Sequence, residues 1–156
     1  TCEDTYTSIR PEFCLTDAQL ADIDVLAMDY LQACVDAFNT SNIDALTNGS
    51  LQSTELLAEM ADTLRELNSY EQELEGVTVS TQITMHPPLT RDEEIRAEVE
   101  DGGILAAAID YEISCDVITR AVYADQEPEV SNDTAPLDCR FDLRYAGGAW
   151  EISEVH

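Results

Sequence analysis

From Thr16 onward apolar residues recur at steps of three and four, through Leu20, Ile23, Ala27, Leu31, Cys34 and Phe38. That spacing predicts one long helix with a single buried stripe. Thr16, with Gln19 three residues later, forms a capping box and sets the start of the helix. The stretch "NTSNIDALTNGS" interrupts the pattern with cap-forming residues, and Ile43 and Leu46 within it suffice for a short second helix ending near Asn48-Gly49. Leu57, Met60, Leu64, Leu67 and Leu74 mark the inner face of a third helix ahead of Gly76.

After Gly76 the period falls to two. Val77, Val79, Ile83 and Met85 alternate with polar residues as far as His86-Pro87-Pro88, where the prolines are expected to stop the strand. Ile95, Ala97 and Val99 lead into an "EDGG" turn, and Ile109, Tyr111, Ile113, Cys115 and Val117 carry the strand that leaves it. "ADQEPEVSNDTAP" is expected to be an acidic loop, after which Leu137, Cys139, Phe141, Leu143 and Tyr145 alternate again. Gly147-Gly148 then turns the chain into a last strand bearing Trp150 and Ile152. Helices grouped ahead of strands argue for an α+β domain: three N-terminal helices on a curved, mostly antiparallel sheet of four to five strands. Residues 1–15 are expected to form an arm and residues 16–156 a single domain.

If the odd-numbered residues of the two long strands face the helices, one register sets Val117 opposite Leu137, Cys115 opposite Cys139, Ile113 opposite Phe141 and Tyr111 opposite Leu143. It predicts a Cys115 to Cys139 disulfide, closing about 25 residues and contributing on the order of 3 kcal/mol. A second loop, Cys2 to Cys14, would anchor the arm, and Cys34, on the apolar face of the first helix, is expected to keep its thiol. Five cysteines with no CxxC spacing point to structural bridges outside the cytosol, in a secreted or envelope-anchored protein. Lipidation of Cys2 is the alternative for that residue, although Thr1 precedes it. Asn39-Thr-Ser, Asn48-Gly-Ser and Asn132-Asp-Thr read as glycosylation sequons, of consequence only in a eukaryotic source.

Charge narrows the partners. Against 33 Asp and Glu stand 7 basic residues, all arginine, for a net charge of −26. Such a surface repels phosphate backbones and anionic headgroups, which argues against nucleic acid, and no apolar run is long enough for a transmembrane segment. A solvated acidic surface, with adaptation to high salt as one version, is the plainest account.

The order long helix, short helix introduced by "AFNTSNIDAL", third helix, curved sheet and terminal "GGAWEISEV" resembles the nuclear transport factor 2-like superfamily, which includes SnoaL-like proteins and has a cystatin-like cone. The resemblance spans about residues 17–155. It implies a cone between helices and sheet that serves as a small-molecule pocket, sometimes catalytic, or as a scaffold. The strand usual after the second helix is not evident, as in the superfamily's envelope-associated branches.

The inward positions carry no carboxylate or histidine, while Asp110, Glu112, Asp116, Asp138, Arg140, Asp142 and Arg144 fall on the opposite, solvated face. Asp24 alone interrupts the apolar face of the first helix, between Leu31 and Val35 in projection, and is the candidate pocket carboxylate. His86, at a strand end without a partner in sequence, reads as a surface residue. Tyr111 and Tyr145 are candidate hydrogen-bond donors, and Trp150 is either core or pocket wall. GxSxG, HExxH, P-loop, dinucleotide and EF-hand motifs are absent, so neither a cofactor nor a metal is expected. The composite expectation is a non-catalytic domain binding a partner protein or a small apolar ligand, with a homodimer through the sheet as one assembly. The rivals are a small enzyme on an apolar ring or polyketide-like substrate, with Asp24 as base and Tyr111 as donor, and an acidic inhibitor or immunity-type protein for a basic partner.

Overall fold

The computed structural model describes residues 15–47, 52–73, 76–100 and 102–156. Among the described residues three helices, α1 (Asp17–Asn39), α2 (Ile43–Thr47) and α3 (Glu55–Glu73), precede four strands: β1 (Val77–Glu100), β2 (Ile104–Tyr123), β3 (Glu129–Ala146) and β4 (Ala149–Val155). The strands form one antiparallel sheet in sequence order, so the class is α+β.

Local signals account for most boundaries. At the start of α1 the Gln19 amide donates to Thr16 Oγ1 at 3.1 Å, and the Thr16 amide donates back to Gln19 Oε1 at 2.9 Å, closing the capping box. Asn42 Oδ1 caps α2 by accepting from the Ala45 amide, and buried Thr54 caps α3 through the Leu57 amide. Asn48 and Gly49, where the second helix was expected to stop, lie outside the described residues, as does Leu74. Gly147 and Gly148, at φ 62° and 85°, make a two-residue turn that needs positive φ at both positions, which leaves β3 and β4 paired with Tyr145 opposite Trp150.

Two boundaries differ from the periodic reading. β1 runs through His86-Pro87-Pro88 without a break. It is an edge strand, and Pro87 shares the parity of Val79 and Ile83, whose amides bond to helix side chains rather than to β2. Pro87 therefore sacrifices no ladder bond, and only Pro88 does. The expected loop at 124–136 shrinks to 124–128, because β3 already begins at Glu129. Polar side chains there hid a strand that is exposed on both faces.

The described backbone groups into two compact units, one of residues 15–31, 88–113 and 138–156, the other of residues 32–47, 52–73, 76–87 and 114–137. In the first, Leu20, Ile23, Ala27 and Leu31 of α1 are buried, as are Ile95, Ile109, Ile113, Phe141 and Leu143 of the strands. In the second, Cys34, Val35 and Phe38 are buried, as are Leu46 of α2 and Leu57, Met60 and Leu64 of α3.

The disulfide expectation needs correction. Among the described residues no disulfide forms, and Cys115 and Cys139 are buried thiols. Cross-strand side-chain bonds reveal the actual register. Asp110 bonds to Arg140 in one unit, and Asp116 bonds to Thr134 in the other, each pair bridging β2 and β3. Those rungs set Cys139 beside Tyr111 and Cys115 beside Ala135, so the two sulfurs sit on different rungs. Burial and the neighbouring Asp116 charge push the Cys115 thiol above its ordinary value. Cys2 and Cys14 lie outside the described residues.

Candidate functional site

In the first unit, α1 puts Asp24 one turn beyond Leu20, and β2 puts Tyr111 between inward Ile109 and Ile113. β1 adds Arg91, of the same parity as buried Ile95 and Ala97. The three meet. Tyr111 Oη donates to Asp24 Oδ1 at 2.7 Å, and Arg91 Nε donates to the same oxygen at 2.7 Å. Tyr111 is 2% exposed, whereas the Asp24 and Arg91 side chains are 35% and 32% exposed, so the cluster joins the interior to solvent.

Burial first, then the hydrogen bond to Asp24 and that carboxylate's charge, push the Tyr111 phenol far above its ordinary value. Tyr111 is therefore a neutral donor at any physiological pH. Its ring meets Phe141 edge-on at 5.4 Å and 82°, and Phe141 meets Tyr30 at 6.2 Å and 85°. Phe141 is 0% exposed, and these rings occupy the space between α1 and the strands in this unit.

A groove of about 760 Å³ is lined by Arg91, Arg96, Asp110, Glu112, Asp138, Arg140, Asp142 and His156, among others. Arg140 Nε and Nη2 grip the two oxygens of Asp110 at 2.8 and 3.3 Å. That bond, joined by the charges of Arg140 and Arg96, holds the Asp110 carboxyl below the usual carboxylate range, while the same bond raises Arg140. His156 Nε2 lies 2.9 Å from Asp142 Oδ2, and Arg144 Nε donates to Glu100 Oε1 at 3.1 Å. The face is a mosaic of opposite charges.

Of the expected site residues, the structure joins Asp24 to Tyr111 and Tyr145 to Trp150. Tyr145 is 38% exposed and packs edge-on against Trp150, itself 9% exposed, with ring centroids 5.4 Å apart. In the second unit His86 Nε2 sits 2.7 Å from Asp116 Oδ2, with Thr134 Oγ1 donating to Asp116 Oδ1 at 2.8 Å. His86 is exposed, and its partner Asp116 is 30 residues away in sequence. Asn39, read as a sequon, has both amide atoms on the Ile83 backbone. Arg91 was missed, although its parity with Ile95 and Ala97 was the available signal. Among the described residues no three His, Cys, Asp or Glu side chains converge to hold a metal. None of the described helices is long and apolar enough to cross a membrane.

With this geometry in hand, the chain can be set beside known structures. It is similar to the intermembrane space region of chloroplast protein ARC6, with TM-score 0.51 and 14% identity over 85% of this chain and 94% of that one. The resemblance to the nuclear transport factor 2-like superfamily holds at the level of the fold alone. The beta subunit of the benzoate 1,2-dioxygenase from Burkholderia mallei also overlaps it, with TM-score 0.35 and 14% identity over 90% of each chain. So does a domain of unknown function with a cystatin-like fold from Nostoc punctiforme, with TM-score 0.29 and 10% identity over 90% of this chain and 76% of that one. No family model and no curated protein matches the sequence. At these identities the likeness is one of fold, which leaves function to be argued from the site.

Proposed function

We propose that this is a non-catalytic binding domain that engages a partner protein through the charged face of the unit holding Arg96, Asp110 and Arg140. One observation carries the reading: Phe141, 0% exposed, packs with two tyrosines edge-on against it in the interior of this unit, where an apolar ligand would have to enter. A carboxylate base must reach a substrate proton, and Asp24 Oδ1 is already committed to two donors. The groove is polar, and its paired charges suit a surface that selects a partner by electrostatic match. A second copy is one such partner, since rows of alternating sign are self-complementary. Placement outside the cytosol belongs to the same proposal and rests on Cys2 and Cys14 alone, since Cys115 and Cys139 are thiols.

The test is a titration of the methyl-labelled protein with naphthalene. The Ile109, Ile113 and Leu143 methyl signals are expected to stay in place. Saturable shifts there would reject the reading in favour of an apolar-ligand site. Sedimentation of the native chain and of Arg140→Glu, at low and at high salt, reports self-association through the face, which should weaken in the variant and with salt.

The enzyme reading has one point in its favour, that Asp24 and Tyr111 do meet and both bonds fall on Oδ1, leaving Oδ2 to face a ligand. It predicts turnover of an apolar ring substrate that Asp24→Asn abolishes.

A further inference from the structure

Within residues 32–87 and 114–137 the two outer edges of the sheet are treated in opposite ways. On β1, helix side chains take up the outward backbone groups. Asn39 Nδ2 donates to the Ile83 carbonyl and Asn39 Oδ1 accepts from the Ile83 amide, both at 2.8 Å, and Glu71 Oε1 accepts from the Val79 amide. This is the usual way a folded protein blunts an edge that would otherwise pair with another chain. On β3 no such cover exists among the described residues for positions 129–137. The rungs to β4 begin only at Phe141, opposite Val155, preceded by the mutual bonds of Arg140 and His156 at 3.1 and 2.9 Å.

Strand alternation tells which groups that edge presents. Arg140 turns both its amide and its carbonyl away from β2, towards His156. Residues two apart repeat the direction, so Val130, Asn132 and Thr134 point their amides and carbonyls outward. Pro136 falls on the same parity, where a missing amide loses nothing to β2.

Charge selects the occupant. From Ala121 to Asp138 there is no basic residue, and Asp125, Glu127, Glu129, Asp133 and Asp138 are all acidic. The side chains of residues 129–136 are exposed. A second copy would bring the same carboxylates to the seam, and like charges facing each other across strands are unfavourable. We propose that the open edge of β3, residues 129–137, takes up an extended basic peptide segment of a partner protein as an added strand. Backbone bonds would hold it, and alternate Lys or Arg side chains would meet Glu129 and Asp133. This inference concerns the other unit and stands apart from the reading above.

The experiment uses the full ¹⁵N-labelled chain and two probe peptides, acetyl-KVKVKVKV-amide and acetyl-EVEVEVEV-amide. With the basic peptide, amide exchange at Val130, Asn132 and Thr134 is expected to slow by about tenfold or more, while Ser131 and Asp133, which face β2, stay unchanged. Its affinity is expected to fall by about tenfold between 50 and 500 mM NaCl, and the acidic peptide is not expected to bind. Asn132→Pro removes one outward amide and should weaken the basic peptide by about tenfold with the circular dichroism unchanged. The double change Glu129→Gln with Asp133→Asn tests the charges without touching the backbone, and should weaken binding while the exchange pattern of the remaining complex is kept. Equal binding of the acidic peptide would overturn the proposal, as would binding without protection at those three amides. Protection that grows with protein concentration in the absence of peptide would assign the edge to a second copy, and overturn it too.

Discussion

Replacing Phe141 by alanine is expected to destabilise its unit by about 4 kcal/mol, within the range of roughly 3 to 5 for a buried phenylalanine. Phe141 is 0% exposed, so the whole ring is lost from the interior. Two edge-on contacts go with it, to Tyr30 and Tyr111, each worth about 0.5 to 1.5 kcal/mol beyond burial. Collapse offers little relief, because Tyr111 is tethered through its hydroxyl to Asp24. The cavity should therefore persist. Trp150, the chain's only tryptophan, belongs to the same unit and reports its unfolding directly. With a urea dependence of about 2 kcal/mol per molar, the midpoint followed by its fluorescence should fall by about 2 M. Phe141→Leu, which keeps most of the volume but neither ring contact, should lose about 1 to 2 kcal/mol and serves where the alanine variant does not fold. A dry cavity of this kind takes up benzene, so saturating benzene should raise the midpoint of Phe141→Ala and leave the native protein where it was. A loss below about 1.5 kcal/mol, or equal stabilisation of the native protein by benzene, would refute the claim that this interior is full.

Asn39→Ala, which strands both the amide and the carbonyl of Ile83, should cost about 1 to 3 kcal/mol and speed exchange of the Ile83 amide, and an unchanged exchange rate would count against the edge-capping role. Arg140→Met tests linkage: a carboxyl held below its unfolded value contributes stability above about pH 4 that disappears as pH falls through the folded value. Because the pair is about half exposed, the variant should be less stable than the native protein by under about 1 kcal/mol at pH 7, and the two acid-titration curves should converge below about pH 4. A gap that widens in acid would contradict the assignment. Alkylation after unfolding without reductant should modify Cys115 and Cys139 separately, and a peptide pair linked through them would mean that β2 and β3 pair in the other register.

Period and capping chemistry are properties of neighbouring residues, and they were legible. The Thr16 and Gln19 box sits where expected, and Tyr111, Phe141 and Leu143 are buried as their alternation implies. Register is different in kind. Several registers of β2 on β3 bury the same odd-numbered faces, and only the Asp110 to Arg140 and Asp116 to Thr134 bonds on the polar face distinguish them. Opposite-charge pairing across the strands was thus the better guide, and the two cysteines a false one. The prolines at 87 and 88 misled for a related reason: whether a proline ends a strand depends on whether the strand lies at an edge, which is a fact about the sheet. Asp24 and Tyr111 could be singled out one at a time, but their meeting, with Arg91 on the same oxygen, joins residues 87 and 67 positions apart.

The scarcity of cations gives these contacts more meaning than their energies suggest. Exposed ion pairs contribute little each, and 33 carboxylates would leave most arginines near some acid by chance. Yet three arginines of the first unit bond across long sequence separations, Arg91 to Asp24, Arg140 to Asp110 and Arg144 to Glu100, each joining two different elements. Arg65, by contrast, pairs among the described residues with Asp62, one turn away on α3. In a chain at −26, self-repulsion opposes compaction everywhere, and it is relieved most where a cation lies between two elements that must approach. Arginine suits that position, since its planar fork can bond one carboxylate with two nitrogens, as Arg140 does with Asp110. The same pairing leaves this face closer to neutral than the remaining surface. On the proposed reading a partner protein would meet least repulsion there, whereas the edge of β3 carries acidic residues and no arginine, which suits the basic strand proposed for it.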